Sequence, residues 1–229
     1  MAEAQRAIHS RAAFDDGLNG LQRDLRSLAS QVDVAIERST RALERLDRPL
    51  AQGVIAGDRY INELRFAIED DAIHLIAMQQ PLARDLRLII AVLNVIVELE
   101  RMGDYCVGIA RIVLLHEERP LLKPLVDIPR MATTVRDMLR DAVDAFISRD
   151  ADAARRVAAR DDEIDRLYDQ VYRELLTFML NDPRTIDRAT WLIWTAHNLE
   201  RMGDRIQNIC ERTVYEVTGV MKEFSAARG

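Results

Sequence analysis

The sequence predicts an all-α protein made of two tandem, related three-helix bundles, with six helices in antiparallel up-down order. Three observations lead to this prediction. Only nine glycines and six prolines interrupt 229 residues, and helix-favouring residues dominate without alternating β-branched runs. Apolar residues recur at intervals of three and four along most of the chain. The hexapeptide Leu-Glu-Arg-Met-Gly-Asp occurs twice, at residues 99–104 and 199–204.

The first half of the chain contains three predicted helices. Apolar residues at helical spacing predict a long amphipathic helix over about residues 9–46. Pro49 follows it, and a second helix over about residues 50–80 carries apolar residues at seven-residue spacing. Pro81 ends this helix, and the third runs through the first hexapeptide over about residues 82–117.

The second half repeats this plan after a proline-rich segment. Residues 119–129 hold three of the six prolines and resemble a linker. A helix is predicted over about residues 130–148, a second ends before Pro183, and the last begins near Thr185. We therefore predict a first bundle at residues 1–119, a linker at 120–129 and a second bundle at 130–229.

The two halves align well beyond the hexapeptide. At an offset of 103 residues, the matching positions are Ala42-Leu43 with Ala145-Phe146, Asp47 with Asp150, Val54 with Val157, Asp58 with Asp161, Ile61 with Ile164 and Leu64 with Leu167. The hexapeptides are offset by 100 residues, so the difference falls at the turns around Pro81 and Pro183. Two related bundles explain this better than one six-helix domain.

Each hexapeptide carries a Glu and an Asp four residues apart, so both carboxylates project from one helix face. In the first copy, the upstream apolar stripe continues at heptad spacing into Glu100 and Asp104. In the second copy it continues into Glu200 and Asp204. These acids interrupt faces that we expect to be buried. A buried carboxylate without a partner is costly, so each acid needs a cation or a proton.

A second set of acids lies on the preceding helices. Asp161 and Asp165 are spaced four residues apart, and they match Asp58 and Asn62 in the first half. Because consecutive helices of a bundle are antiparallel, these turns can face the hexapeptide of the next helix.

Distances along the chain support this pairing. Asp165 lies eighteen residues before Pro183, and Glu200 lies seventeen residues after it. At a rise of about 1.5 Å per residue, the two acids reach the same height in a helical hairpin. Four carboxylates are therefore expected to converge in the second half, and three carboxylates with one amide in the first.

Such clusters suit hard or borderline cations, Mg²⁺, Mn²⁺ or iron, whereas zinc more usually recruits His or Cys. The predicted metal ligands are Glu100, Asp104, Glu200, Asp204, Asp161, Asp165 and Asp58. The alternative is that Arg101 and Arg201 neutralise the acids in a purely structural bundle. His197 precedes Glu200 by one turn, but a lone His on a helix is more often structural.

Several function classes are disfavoured by the sequence. A net charge of −6 without separate basic clusters argues against nucleic-acid binding by the chain itself. The absence of a signal core and of a bilayer-length apolar run predicts a cytoplasmic protein without a transmembrane segment. Cys106 and Cys210 are expected to be buried thiols. No phosphate loop or catalytic triad is recognisable, so no enzymatic activity is predicted.

The two hexapeptides and the turn Gln80-Pro81-Leu82-Ala83-Arg84-Asp85-Leu86-Arg87 resemble the PhoU family of phosphate-signalling regulators. The Asp-x-x-Ile-Asp pattern at residues 161–165 is similar to that family as well. The resemblance covers nearly the whole chain. Asn62 occupies a position at which the family's pattern has Asp. The turn in the second half, Asn181-Asp182-Pro183-Arg184, lacks the Gln-Pro motif of the family.

The resemblance implies a negative regulator of phosphate uptake and phosphate-starvation signalling. Family members couple a phosphate ABC transporter, through its ATPase, to a phosphate-sensing histidine kinase. Their acidic motifs hold metal ions, which carries over to the seven acids named above, with a weaker first site because of Asn62. Apolar faces left over on the bundles predict a homodimer. The alternative function is a metal-storage or carboxylate-bridged redox protein, although the chain has no Glu-x-x-His pair.

Overall fold

The computed structural model describes residues 2–79, 81–117, 119–221 and 223–224, with side chains described from Phe14 onward. All regular structure in these residues is helical, which confirms the predicted fold class. The helices are α1 (Ala2–Arg45), α2 (Arg48–Gln79), α3 (Ala83–Leu115), α4 (Asp127–Ser148), α5 (Ala151–Ala158), α6 (Asp161–Asn181) and α7 (Ile186–Thr218). A single 3₁₀ turn, Pro183–Thr185, precedes α7. Gln80 of the proline turn lies outside the described residues.

The first helix of each repeat ends in the same way. Leu46 and Arg149 both adopt a left-handed backbone, with φ of 51° and 58°. The next residue, Asp47 or Asp150, returns its N–H to the carbonyl of Ala42 or Ala145 over 2.9 Å, which forms a Schellman motif. Each of these aspartates then accepts a hydrogen bond from the first turn of the following helix. The internal repeat therefore extends to the local hydrogen bonding at these turns.

The second helix of the second bundle is interrupted, whereas the sequence predicts one continuous helix. A turn at Ala159 and Arg160 separates α5 from α6. Asp161, Asp162 and Glu163 occupy the first turn of α6, where carboxylates interact favourably with exposed backbone N–H groups. The interruption makes Asp161 the first residue of a helix, although its counterpart Asp58 lies within α2.

The connection between the bundles covers residues 116–126, because α3 ends at Leu115 and α4 begins at Asp127, three residues before the predicted helix start. Pro129 lies in the first turn of this helix. A proline is tolerated there, since the first N–H groups of a helix have no intrahelical acceptor.

The two bundles pack against each other along α3 and α7, which form the most extensive helix pair, and α1 also contacts α4. Buried apolar residues from both bundles form one continuous core. The α3 and α7 helices are antiparallel: Arg201 bonds Tyr105, and Arg205 bonds Glu98. The two hexapeptides therefore cross each other at the middle of the molecule. No helix in the described part of the chain is both long enough and apolar enough to span a membrane.

Candidate cation sites

Half of each hexapeptide belongs to the core. Leu99, Met102 and Gly103 are buried, and so are their counterparts Leu199, Met202 and Gly203. The expectation that the acids interrupt a buried stripe needs correction, because they lie at its edge. Glu100, Glu200 and Asp204 are half-buried and Asp104 is exposed. The heptad continuation missed this because an α-helix has 3.6 residues per turn, so positions seven apart drift around the helix.

The glycine of the hexapeptide brings the preceding helix close. A Cβ placed on Gly203 would lie 2.5 Å from Asp161 Oδ1 and 3.0 Å from Ile164 Cδ1. A Cβ on Gly103 would lie 3.3 Å from Asp58 Oδ1. The sequence carries a signal for this role, because a glycine in the interior of a helix, away from any turn, is typical of a close approach by a neighbouring element.

The first acidic cluster consists of Asp58, Glu100 and Asp104. Burial raises the pKa of Glu100, as do the charges of Asp104 and Asp58, whereas Arg65 lowers it. Burial likewise raises the pKa of Asp58, with a further contribution from Asp104. These three carboxylates are therefore close enough to repel one another.

Asn62 is part of this cluster through its amide group. Its Nδ2 donates to Asp58 Oδ2 over 2.9 Å and to the backbone carbonyl of Asp58 over 3.1 Å. The amide stabilises the ionised form of Asp58 and lowers its pKa against the effect of burial.

The second acidic cluster consists of Asp165, Glu200 and Asp204, and Asp161 lies beside it against Gly203. Burial raises the pKa of Glu200, followed by the charges of Asp204 and Asp165. The structure thus brings Asp165 near Glu200, as their matched distances from Pro183 predict. Asp161 is buried, and its Oδ2 accepts a hydrogen bond of 2.7 Å from Gln207 Nε2.

Two aromatic or histidine side chains lie beside the second acidic cluster. His197 Nδ1 is 3.3 Å from Glu200 Oε2. The ring of Tyr168 lies 6.0 Å from that of His197, and the charge of Glu200 adds to burial in raising the pKa of Tyr168.

The arginines of the hexapeptides have other partners. Arg201 Nε donates to the hydroxyl of Tyr105 over 3.1 Å, and its guanidinium lies 5.7 Å from that ring's centroid. Arg101 lies 3.9 Å from Glu98. Arg201 still lowers the pKa of Glu200 through its charge. Arg101 likewise lowers the pKa of Glu100. The alternative in which these arginines neutralise the acids is therefore supported through their charges, although the contacts described for them are with Glu98 and Tyr105.

Each cluster contains a buried carboxylate oxygen. Asp58 Oδ1 and Glu200 Oε2 are inaccessible to solvent and accept no hydrogen bond from the described residues, although His197 Nδ1 lies 3.3 Å from Glu200 Oε2. No group of three or more His, Cys, Asp or Glu side chains within the described residues is arranged to hold a metal ion.

Comparisons with known proteins match both halves of the chain to the same protein family. A family model described as "PhoU domain" matches residues 25–113 and again 128–213. A Caulobacter vibrioides protein named phosphate-specific transport system accessory protein PhoU homolog is 38% identical over 212 residues, 92% of each chain. The Escherichia coli protein of the same name, without "homolog", is 35% identical over 214 residues, 92% of this chain and 88% of that one.

Two solved structures share the fold. The crystal structure of PhoU from Pseudomonas aeruginosa superposes with a TM-score of 0.86 at 36% identity, over 90% of this chain and all of that one. The phosphate transport system regulatory protein PhoU from Streptococcus pneumoniae also gives a TM-score of 0.86, at 32% identity over 92% of this chain and all of that one.

Proposed function

Because the chain belongs to the PhoU family, we propose that it is a negative regulator of phosphate uptake and of phosphate-starvation signalling. In this proposal it acts in the cytoplasm as an adaptor between a phosphate ABC transporter, contacted through its ATPase, and a phosphate-sensing histidine kinase. The observation that carries the proposal is the match of both repeats to the PhoU domain, together with relatives named as phosphate transport accessory proteins over 92% of this chain.

The acidic clusters are proposed to hold divalent cations, Mg²⁺ or Mn²⁺ in preference to iron or zinc. Glu100, Asp104 and Asp58 would serve the first site, and Glu200, Asp204, Asp165 and Asp161 the second. A bound ion would supply positive charge that offsets the repulsion among these carboxylates. The pKa values of Asp58, Glu100 and Glu200 are raised first by burial and then by a neighbouring carboxylate, and this nearby negative charge supports the proposal.

The chain's own residues position the acids for this role. Gln207 holds the carboxylate of Asp161 against α7, and Asn62 holds that of Asp58. Glu200 is half-buried, and its Oε2 lies 3.3 Å from His197 Nδ1. The arrangement leaves the outer carboxylates accessible for an ion or for a partner's basic side chain.

Self-association is a further part of the proposal. Large apolar side chains are exposed near the turns of both helical hairpins, for example Met78 and Leu82 in the first and Leu180 and Ile186 in the second. A homodimer would cover part of this surface. Light scattering coupled to gel filtration measures the mass directly, and a monomer at micromolar concentration would remove this part of the proposal.

Deletion of the gene tests the regulatory role. We expect alkaline phosphatase to be derepressed in phosphate-rich medium, and wild-type chain supplied in trans to restore repression. The variant Glu200→Gln/Asp204→Asn is expected to restore it only weakly. Its matched control, Glu63→Gln/Asp70→Asn, removes one Glu and one Asp from exposed positions of α2 and should restore repression fully.

Two results would contradict the proposal. Phosphatase that stays repressed in the deletion strain would argue against a regulatory role. Rapid oxidation of added ferrous iron by the purified chain would instead favour the alternative, a metal-storage or redox protein.

A further inference from the structure

The first helices of the two repeats differ in length, whereas the last helices do not. Helix α1 has 44 residues and α4 has 22. The last helix of each repeat, α3 or α7, has 33 residues. At the offset of 103 residues, the first residue of α4, Asp127, matches Asp24 in the interior of α1. Helix α4 therefore stops short of the turn of the α6–α7 hairpin, whereas α1 continues along the α2–α3 hairpin.

Residues 119–126, which we call the strap, replace the missing part of this helix. The structure describes all of them, and none lies in a helix. At the same offset they match residues 16–23 of α1. Pro120 and Pro124 disfavour a helix here, because a proline within a helix removes a hydrogen bond and clashes with the preceding turn. The second bundle is therefore closed at this end by an irregular segment instead of a helix.

An ion pair shows that the strap lies where α1 lies in the first bundle. Gly20 of α1 and Asp71 of α2 line one groove. Their equivalents in the second repeat are Lys123 of the strap and Glu174 of α6, which form an ion pair. The strap thus packs beside α6 at the level where α1 packs beside α2.

Two acids of the α6–α7 hairpin bind the basic residues of the strap. In the ion pair between Lys123 and Glu174, the side chains are 15% and 39% exposed. Arg119 Nη1 lies 3.4 Å from Asp187 Oδ2. Between its two basic residues the strap carries two consecutive leucines, which pack against the core. The hairpin therefore offers a core surface for leucine side chains and an acid for the basic residue on either side of them.

The strap is held more loosely than the helix it replaces. Phe14 and Leu21 of α1 are buried, whereas no side chain of the strap is buried. Within the described residues, no N–H group of residues 121–126 donates to a backbone carbonyl. The ion pair of Arg119 is exposed at both side chains, and such pairs contribute little to stability. Few interactions therefore oppose release of the strap.

From these contacts we propose that the strap is autoinhibitory: it covers, within the same chain, a surface of the α6–α7 hairpin that binds a partner segment of the same chemistry. The partner segment is a proline-containing peptide in which two leucines lie between two basic residues, because Glu174 and Asp187 supply an acid for each basic residue. A segment tethered beside its site has an effective concentration of the order of millimolar, so a partner binds strongly only after the strap is released. The inference goes beyond the proposed function, because it involves neither the acidic clusters nor a bound cation.

Fluorescence anisotropy tests this with the full chain and a labelled synthetic peptide that has the sequence of residues 119–126. The variant Arg119→Glu/Lys123→Glu places two acids of the strap against Asp187 and Glu174, and like charges should release the strap. We expect this release variant to bind the peptide more than about tenfold more tightly than the wild-type chain does, because the strap no longer competes.

Three controls accompany this measurement. Adding Glu174→Gln to the release variant removes one acid that faces the peptide, and should weaken binding. A peptide with Glu in place of its Arg and Lys should not bind the release variant. The variant Arg59→Glu/Arg155→Glu makes the same charge changes in two ion pairs outside the hairpin, each between neighbouring turns of one helix. It should bind the peptide as weakly as the wild-type chain.

The inference is overturned if the wild-type chain binds the peptide as tightly as the release variant does, or if the folded release variant does not bind it. Circular dichroism identifies a variant that does not fold. Lys123→Ala, which removes an ion pair without adding charge, then replaces the release variant and should also bind the peptide more tightly than wild type. Since the titration uses purified protein, its failure is separate from failure of the phosphatase experiment, which tests regulation in cells.

Discussion

Asp161 lies directly against the backbone of α7 at Gly203, so closely that a Cβ on this glycine would stand 2.5 Å from Oδ1. The carboxylate cannot retreat easily, because Gln207 bonds its other oxygen. Gly203→Ala should therefore destabilise the chain by about 1–3 kcal/mol through overpacking. Gly103→Ala, where the corresponding distance is 3.3 Å, should cost less. Urea unfolding followed by circular dichroism measures both.

The control for these glycine variants is Gly57→Ala. Gly57 lies within α2, and a Cβ there meets no atom within 4 Å. Alanine should stabilise the helix by about 0.5–1 kcal/mol. If Gly203→Ala proved as stable as Gly57→Ala, the close approach of Asp161 would not be a constraint on the fold.

The hydrogen bond between Gln207 and Asp161 is expected to stabilise the folded chain. Both side chains are buried, and a hydrogen bond to a charged group contributes about 1.5–3 kcal/mol. Gln207→Leu should reduce the free energy of unfolding by about this amount. In a double-mutant cycle with Asp161→Asn, the two losses should not add, since both changes weaken the same interaction. Additive losses would contradict a direct contribution from this bond.

Asp33 joins the bundles at a second place, through α1 and α4. Arg136 donates to both of its oxygens, at 2.8 and 3.1 Å, and Arg140 approaches to 3.1 Å. Burial alone would raise the pKa of Asp33, but the hydrogen bonds and charges of the two arginines outweigh it and lower the pKa. The stabilisation is therefore present above the unfolded pKa of about 3.9 and is lost as the pH falls through the folded value.

The variant Asp33→Asn should consequently lose about 1–3 kcal/mol at neutral pH. The difference from wild type should shrink as the pH falls below about 4, because the unfolded carboxyl then takes up a proton before the folded one does. Melting temperatures measured across this range provide the comparison. A difference that stayed constant with pH would show that charge is not the cause.

His116 lies at the start of the connection between the bundles and should give the stability a different dependence on pH. The ring is buried and packs edge-on against Trp191, with 4.8 Å between centroids. Burial lowers the pKa of His116, as do the charges of Arg188 and Arg119, while a backbone hydrogen bond at Arg119 opposes them. The unfolded chain therefore takes up the proton first, so stability falls as the pH drops below about 6.5.

Replacing His116 with Phe keeps an aromatic ring against Trp191 and removes the titrating group. Between about pH 7.5 and 5.5, wild type should lose more thermal stability than His116→Phe does. Parallel melting curves at several pH values measure this. Equal losses in the two proteins would assign the acid sensitivity to other groups.

Glu200 should destabilise the metal-free chain at neutral pH. Its pKa is raised by burial, Asp204 and Asp165, so the folded state favours the protonated acid, and its cost appears as the pH rises through the folded pKa. Glu200→Gln should therefore raise the melting temperature at neutral pH in the presence of a chelator. Glu100→Gln should have a smaller effect, because Arg65 already offsets the charge of Glu100. Saturating Mn²⁺ should abolish the advantage of Glu200→Gln, and a variant that stayed more stable under those conditions would contradict cation binding there.

Parts of the candidate sites followed from spacing alone. In a helix, the i, i+4 relation places Glu200 and Asp204 on one face. The nearly equal distances from Pro183 bring Asp165 close to the height of Glu200 in an antiparallel hairpin. Spacing could not show how deeply these acids are buried, because the edge of a buried face depends on which neighbouring helices cover it. It also could not show that Gln207 would hold Asp161, since that bond joins two helices across the bundle.

The amino-acid sequence by itself determined the helical class, the twofold repeat and the identity of the seven acids, because helical periodicity and internal identity are local properties of a chain. Only the tertiary structure showed that Asp161 packs against the backbone of Gly203 and that the two hexapeptides lie against each other. It also showed that Arg65 lies near Glu100, whereas Tyr168 lies near Glu200. These relationships depend on distances between helices, and interhelical distances follow from packing of the whole core. The exchange of Asn62 for Asp165 already predicted two unequal sites, and the other residues beside the acids differ between the repeats as well.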